Sequence, residues 1–556
     1  MTIHNQPWLF GDEYLYLNKA RNLKFGIDVI TDATQGHKYP PLYSYLISLA
    51  ITNDPVSSYR RVQFLNFFSS QLLLLISFFL LNKVFGFTKN KHGKLFLVLA
   101  FLATSLLSNI TGYYFVAMSE NLFLPLTLLV FSLLSYILKF KKETDFKWLA
   151  ALGFLTAASI LTRTIAIVLV PCIILALVGN SSAKTNAKNK LFRLLKTALI
   201  FGVLSVLPMF VFELIERQLI QNNLLATVTK DYRSFMPSYS KNFLSLISLK
   251  SNLFATVKIF GNHLIYLVFS TFFFPFYFLI KDALTLIKTK KAKPMWLFVI
   301  SYTLLTVGVS FLHSYGGFQN NPIRYSTYFR YLDSAVVIIF VYGLTQLWQF
   351  ASSKERLNKL ACWLFIIFSA SLVILLPQRD FYLTINSLGW GWLDHLLPIS
   401  LLTRVALLLI VSSLLKIVRH KKLVPILLGL IIIISISTIP VSLKMHNWLA
   451  DDSQGQLQEP VIAFAQENKH VNYYFNSQLL NIGERGSIYY IKYLLMFYTD
   501  EVVPMKPIET DVFESILQED DNPVVLLDST NATNNLIDSA NKISPINDHL
   551  MFAVFE

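Results

Sequence analysis

Cysteine is nearly missing from this chain: two residues in 556, Cys172 and Cys362, each inside an apolar segment. A thiol in such a place behaves as a small hydrophobe, so a disulfide framework and a Cys/His metal centre are both excluded. Charge is scarce as well, at 15% of residues, with 33 Asp and Glu against 48 Lys and Arg. A chain with so few ionic groups, 54% hydrophobic residues and a mean hydropathy of +0.51 cannot clothe a soluble multidomain protein. It belongs to the polytopic membrane class. The first dozen residues are polar and the first long apolar run follows Arg61, so no cleavable signal peptide is expected.

A formal net charge of +15 raises the question of nucleic acid, and the distribution of the charge answers it. Residues 445–556 carry 17 acids and 5 bases, a net of −12, which leaves +27 on residues 1–444. That surplus sits in short loops between apolar runs and not on the basic face of a soluble module, so nucleic acid is not an expected partner.

Runs long enough to cross about 30 Å of hydrocarbon read at 62–82, 95–112, 119–138, 197–214, 260–280, 295–312, 331–350, 360–377, 398–416 and 423–441. The run 148–179 is too long for one span and holds Arg163 near its middle. Dividing it at Leu161-Thr162-Arg163-Thr164 places the arginine at an interface, and about twelve spans result. Loops 83–94, 139–147, 180–196, 281–293, 351–359 and 416–422 hold three to five Lys or Arg each and alternate with loops of a different kind. Basic loops stay cytoplasmic, so the segments 112–118, 215–259, 313–330 and 378–397 are expected to face outward. The N-terminal stretch and the C-terminal tail follow them to that side.

The fold class expected is therefore an all-α polytopic membrane protein with a small C-terminal extracytoplasmic α/β domain. Three regions are expected: a first outer loop with juxtamembrane helices over 1–61, a transmembrane helical domain over 62–444, and a soluble domain over 445–556. In the last, β-prone runs such as Val524-Val525-Leu526-Leu527 and a helical Ser487–Tyr498 alternate with Asp/Asn-rich turns. No glycine-rich phosphate loop and no catalytic motif stand out there.

The residues that could carry chemistry gather on the expected outer side. Asp12 and Glu13 are adjacent, and neighbours on a helix diverge by about 100 degrees. One can therefore face a cleft while the other braces the loop. His37-Lys38-Tyr39-Pro40-Pro41 brings a cation beside a Pro-Pro helix start. Arg60 and Arg61 open the first full span, where snorkelling to headgroups is an ordinary role. Glu120 begins another span, where the helix dipole favours a carboxylate. Arg163 reads as a turn residue or a phosphate ligand. Arg324 and Arg330, six residues apart, do not share one helical face, so one serves as ligand and the other as anchor. His313, beside them, reads as an interfacial histidine. Asn386–Trp392 alternates small and aromatic residues, as an interfacial belt or a sugar face would.

In their order and spacing these fragments resemble the GT-C glycosyltransferases, in the branch of the protein O-mannosyltransferases and lipid A aminoarabinose transferases. The matching pieces are Asp12-Glu13, Lys38-Tyr39-Pro40-Pro41-Leu42, Arg61 with Asn66, Ser119-Glu120, Leu161-Thr162-Arg163 and Arg324-Tyr325. The resemblance implies a multi-pass enzyme of the cell membrane that moves a sugar from a polyprenyl-phosphate donor to a glycan, lipid or protein acceptor at the outer face. It implies Asp12 as general base with Glu13 beside it, and Lys38, Arg163, Arg324 and Arg330 on the donor phosphate. Tyr39, Glu120 and Arg61 would meet the sugar or acceptor. No resident cofactor or metal site is implied, although a carboxylate pair can hold one divalent ion through waters. The sequence departs from the family pattern in two places: Tyr39 stands where a lysine precedes the proline, and only eleven residues precede Asp12 where the family has a span. An internal start or a fragment accounts for the second.

A transporter or flippase of a lipid-linked saccharide would use the same cations. Transporters carry internal repeats and broken helices near the midplane, and no repeat is visible in the sequence. A sensor or wall-binding role for the C-terminal domain needs far fewer spans than are present.

Overall fold

The computed structural model describes residues 11–25, 40–89, 91–140, 145–179, 195–196, 198–208, 210–211, 253–318, 329–352, 358–374, 424–451, 458–468, 473–476, 491, 495, 506–508, 523–528, 540–546 and 550–555. The chain divides into two compact units. One comprises Met1–Leu65, Phe115–Met118 and Leu443–Glu556; the other comprises Asn66–Tyr114 and Ser119–Ser442.

The larger unit is a bundle of apolar helices. In chain order with those of the smaller unit, the helices are α1 (Gly11–Phe25), α2 (Leu42–Ser48), α3 (Pro55–Phe85), α4 (Lys91–Ser105), α5 (Ser108–Thr111), α6 (Glu120–Phe140), α7 (Phe146–Thr162) and α8 (Leu169–Gly179). They continue with α9 (Ala198–Pro208), α10 (Leu253–Ser270), α11 (Phe274–Thr289), α12 (Pro294–Phe318), α13 (Asp333–Ser352), α14 (Lys359–Ile374), α15 (Val424–Asp451) and α16 (Gln458–Glu467). Four described stretches are long and apolar enough to cross a membrane: Pro55–Phe85, Glu120–Phe140, Pro294–Gly316 and Arg330–Ser352. Shorter apolar helices, α7, α8, α9, α14 and α15 among them, accompany these. The expected span 398–416 lies outside the described residues, as does the whole of the segment 378–397 with Asn386–Trp392.

Position in the bundle follows from how the apolar residues are distributed. In α13, Asp333 through Thr345 are all buried, and α4, α6, α10, α11 and α12 pack around it. A helix apolar on every side belongs in the middle of a bundle. By contrast α3 exposes Phe64, Phe67, Leu72, Leu75 and Phe79, the face that a helix at the rim offers to lipid. One close approach fixes the centre: a Cβ on Gly343 of α13 would lie 2.6 Å from the Pro275 side chain of α11. Only glycine lets those two backbones come so near.

The division expected at Arg163 is present. α7 ends at Thr162, Arg163 is extended (φ −155, ψ 124), and a 3-10 turn Thr164–Val168 leads into α8. The single straight span expected over 260–280 needs correction. α10 and α11 meet at a bend of 109°, and the residues between them include Phe272 (φ 57) and Phe273 (φ 63) in the left-handed region. Each such residue costs about 1–3 kcal/mol and persists only where the surroundings over-determine it. Here the surroundings are aromatic: Phe273 packs on Phe269 at 4.6 Å between ring centroids, and Phe274 and Phe272 lie 5.7 and 6.3 Å from Phe340 of α13. Hydrogen bonds complete the turn, from the Phe273 N–H to the Val268 carbonyl (3.0 Å) and from the Thr271 hydroxyl to that of Leu267 (2.8 Å).

In the smaller unit, α1 and α2 pack together with Tyr16 edge-on to Tyr43 at 5.1 Å. The C-terminal part holds a five-stranded mixed sheet of order β2-β1-β3-β5-β4: β1 (Tyr473–Asn476), β2 (Lys506–Ile508), β3 (Val524–Asp528), β4 (Lys542–Pro545) and β5 (Leu550–Val554). β1 pairs in parallel with β2 and β3, while β5 runs antiparallel to β3 and β4. Parallel neighbours require crossover connections, the pattern of an α/β module. Its core forms around Phe552, stacked on Phe464 of α16 at 4.4 Å, and around Tyr474, Val525, Leu527 and Met551. Most of the helix expected at Ser487–Tyr498 lies outside the described residues.

Candidate active site

Three of the expected site residues converge in the larger unit. Glu120, buried in the first turn of α6, receives two arginines from far along the chain. Arg330 reaches it through Nε to Oε1 and through Nη2 to Oε2 at 3.1 Å, the two-pronged match of a guanidinium to a carboxylate. Arg163 meets the same Oε1 through Nη1. Backbone geometry places Arg163: its N–H donates to the Ser159 carbonyl (2.9 Å) and its carbonyl accepts from Ala166 (3.0 Å), so the residue is pinned between α7 and the following turn. Its guanidinium lies over the Tyr331 ring, 5.2 Å from the centroid, and His313 meets the other side of that neighbourhood, edge-on to Tyr331 at 5.0 Å. Two cations share this one anion, and the neighbouring Asp333 carboxylate lies close enough to act on both arginines, so the four groups balance formally when Asp333 is ionised.

A second carboxylate stands next to the trio. Asp333 is wholly buried at the start of α13, where the helix dipole favours it, and it accepts from Tyr113 (2.8 Å) and Tyr266 (2.5 Å). Asn109 donates to the Asp333 main-chain carbonyl at 3.2 Å. Tyr113 lies in the connection before α6, and burial, reinforced by Asp333, pushes its phenol well above its ordinary pKa. It therefore stays protonated and donates. Phe329 stacks on Tyr266 at 4.6 Å and meets His263 edge-on at 5.3 Å, which seats the turn that carries Arg330. Asp333, Tyr113 and Tyr266 are absent from the expected site. The sequence offered a signal only for the aspartate, a lone acid at the head of the apolar run 331–350.

The opening acids belong to the smaller unit. Glu13 is fully buried on α1, and its Oε1 accepts from the Tyr59 hydroxyl (2.6 Å) and the Ala117 N–H (2.7 Å). Nearby, Gln63 donates to the Phe115 carbonyl at 3.0 Å. Glu13 thus ties α1 to α3 and to the segment Phe115–Met118. Asp12 is on α1, but its side chain lies outside the described residues, as do Lys38, Tyr39 and Arg324. Arg61 is exposed on α3, as is Arg60. Among the described residues no group of three or more His, Cys, Asp or Glu is placed to hold a metal ion.

No family model matches the sequence, and no curated protein matches it. Solved structures do. The structure of ArnT from Cupriavidus metallidurans bound to undecaprenyl phosphate aligns with a TM-score of 0.51 and 11% identity, over 99% of this chain and 95% of that one. ArnT of the same organism in the apo state gives 0.48 and 12%, over 99% and 94%. The archaeal oligosaccharyltransferase AglB from Archaeoglobus fulgidus, in complex with an inhibitory peptide and a dolichol-phosphate, gives 0.39 and 11%, over 94% and 66%. The chain shares the overall fold of ArnT.

Proposed function

We propose that the protein is an integral-membrane glycosyltransferase that takes a sugar from a polyprenyl-phosphate donor and delivers it to an acceptor at the outer membrane face. The observation that carries this reading is the Glu120–Arg163–Arg330 trio: two guanidiniums, buried at the ends of apolar helices and gathered on one carboxylate, on a fold shared with a protein solved with undecaprenyl phosphate. Such a place suits a phosphate at the head of a long isoprenoid. Arg163 and Arg330 would neutralise the charge that develops on the departing lipid phosphate, and Lys38 and Arg324 are assigned to the same anion. Glu120 holds the two arginines in register and, with Tyr39 and Arg61, is assigned to the sugar or acceptor side. Asp12 would take the proton of the acceptor hydroxyl. The chemistry asks for no resident cofactor, and the reading keeps the C-terminal domain and the site outside the cytoplasm.

A second reading is favoured by one feature. The bend of 109° between α10 and α11 is the kind of helix break that transporters place in their ligand path, so a flippase of a lipid-linked saccharide is the competing function. One experiment separates the two: the full chain is purified and supplied with polyprenyl-phosphate sugars labelled in the sugar, together with an envelope extract. A transferase moves label from lipid to a defined product, and Asp12→Asn stops it. Label that changes leaflet in proteoliposomes while still attached to its lipid makes the protein a flippase.

A further inference from the structure

Arg330 has no freedom to choose where it points. It occupies the 3-10 turn Arg330–Leu332, directly before Asp333, and that turn is gripped from both ends. On the N-terminal side Phe329 is stacked on Tyr266 with ring planes 19° apart. On the C-terminal side the Asp333 carboxylate takes one phenol from Tyr266 on α10 and one from Tyr113 in the connection before α6. Tyr266 therefore holds both sides of the arginine, by its ring and by its hydroxyl. The grip is not one that stability alone would select, because burying a carboxylate with neutral donors is costly, and apolar residues of like volume would pack the same space more cheaply. The direct ion pairs of both arginines are with Glu120, and Asp333 acts on them at longer range.

We propose that Asp333 is a positioning residue for the polyprenyl phosphate, acting through Arg330. By fastening the turn between Tyr113 and Tyr266 it fixes the guanidinium on Glu120, so that Arg330 is the immobile half of the pair. Arg163, whose side chain is about twice as exposed (10% against 5%), is the half that turns to meet the arriving phosphate. The inference rests on the phosphate reading above and adds to it a residue that touches neither lipid nor sugar.

The test is a double-mutant cycle read as binding of undecaprenyl phosphate to the purified full chain. Asp333→Asn keeps the volume and surrenders one acceptor to the two phenols. It should weaken binding about tenfold, the size of coupling seen between residues in one network, and should add nothing further in an Arg330→Ala background. Tyr266→Phe, which removes one donor and keeps the ring stack, should weaken binding in the same sense, and it serves where Asp333→Asn fails to fold. Equal losses in the two backgrounds would make Asp333 a structural residue only and overturn the proposal, as would wild-type affinity in both Asp333→Asn and Tyr266→Phe. If the wild type binds and Arg330→Ala binds equally well, the positioning role falls while the phosphate reading stands on Arg163. If the wild type does not bind undecaprenyl phosphate, both fall together.

Discussion

Arg330 and Glu120 stand 210 residues apart in the chain and meet through two guanidinium nitrogens on the two oxygens of one carboxylate. Glu120 is also the partner of Arg163, so its removal leaves two buried cations facing each other. Breaking a buried ion pair by deleting one partner costs about 3–5 kcal/mol, and Glu120→Gln should lose at least that much, read as thermal unfolding in detergent. Glu120→Gln combined with Arg163→Met removes one charge of each sign and should recover part of the loss. A double variant less stable than the single one would show that the trio is not held by charge balance.

The two opening acids should separate cleanly. Glu13 accepts two hydrogen bonds that tie α1 to Tyr59 and to Ala117, and bonds to a charged group in a buried place are worth about 1.5–3 kcal/mol. Glu13→Gln should therefore lower the unfolding temperature of the protein. Asp12→Asn should leave that temperature in place and reduce sugar transfer by about a hundredfold or more, the scale of general-base catalysis. Transfer assays and melting curves on the two single variants decide it, and transfer retained in Asp12→Asn would remove it as the base.

What could be read in advance, and what could not, divides along the range of the signal. The break at Arg163 was legible because an arginine inside an apolar run of that length is expensive unless the chain brings it to an interface. The break at Thr271–Phe273 has one local mark, Pro275 in the first turn of α11, but the left-handed phenylalanines that set the bend are held by Phe269 and Phe340, a tertiary effect with no trace in the local sequence. Glu120, Arg163 and Arg330 were each visible as ionic residues at span ends, but their sharing of one carboxylate joins helices too distant for any spacing rule. Asp333 carries only the local signal of a helix-start acid, since the two phenols that clasp it come from elsewhere in the chain.

The approach of α11 to α13 turns on a missing side chain. With a Cβ at Gly343 falling 2.6 Å and 2.7 Å from the Pro275 ring and 2.9 Å from its backbone, Gly343→Ala must push two central helices apart. Overpacking of this kind costs about 1–3 kcal/mol, although alanine ordinarily favours a helix interior over glycine. A lower unfolding temperature for Gly343→Ala is expected; a higher one would mean that the helices sit farther apart than described.

Phe273 gives the sharpest reversal of an ordinary rule. It is buried, packs on Phe269 and adopts φ 63, so any replacement forfeits a ring worth about 3–5 kcal/mol when cut to alanine. Alanine at that position keeps the unfavourable backbone, whereas glycine adopts positive φ without penalty and releases the strain. Phe273→Gly should therefore be more stable than Phe273→Ala, by about 1 kcal/mol or more, even though glycine exceeds alanine in the chain entropy lost on folding. Melting temperatures of the two variants in the same detergent give the comparison. An advantage for alanine would place Phe273 in ordinary helical backbone and make α10 and α11 one continuous span.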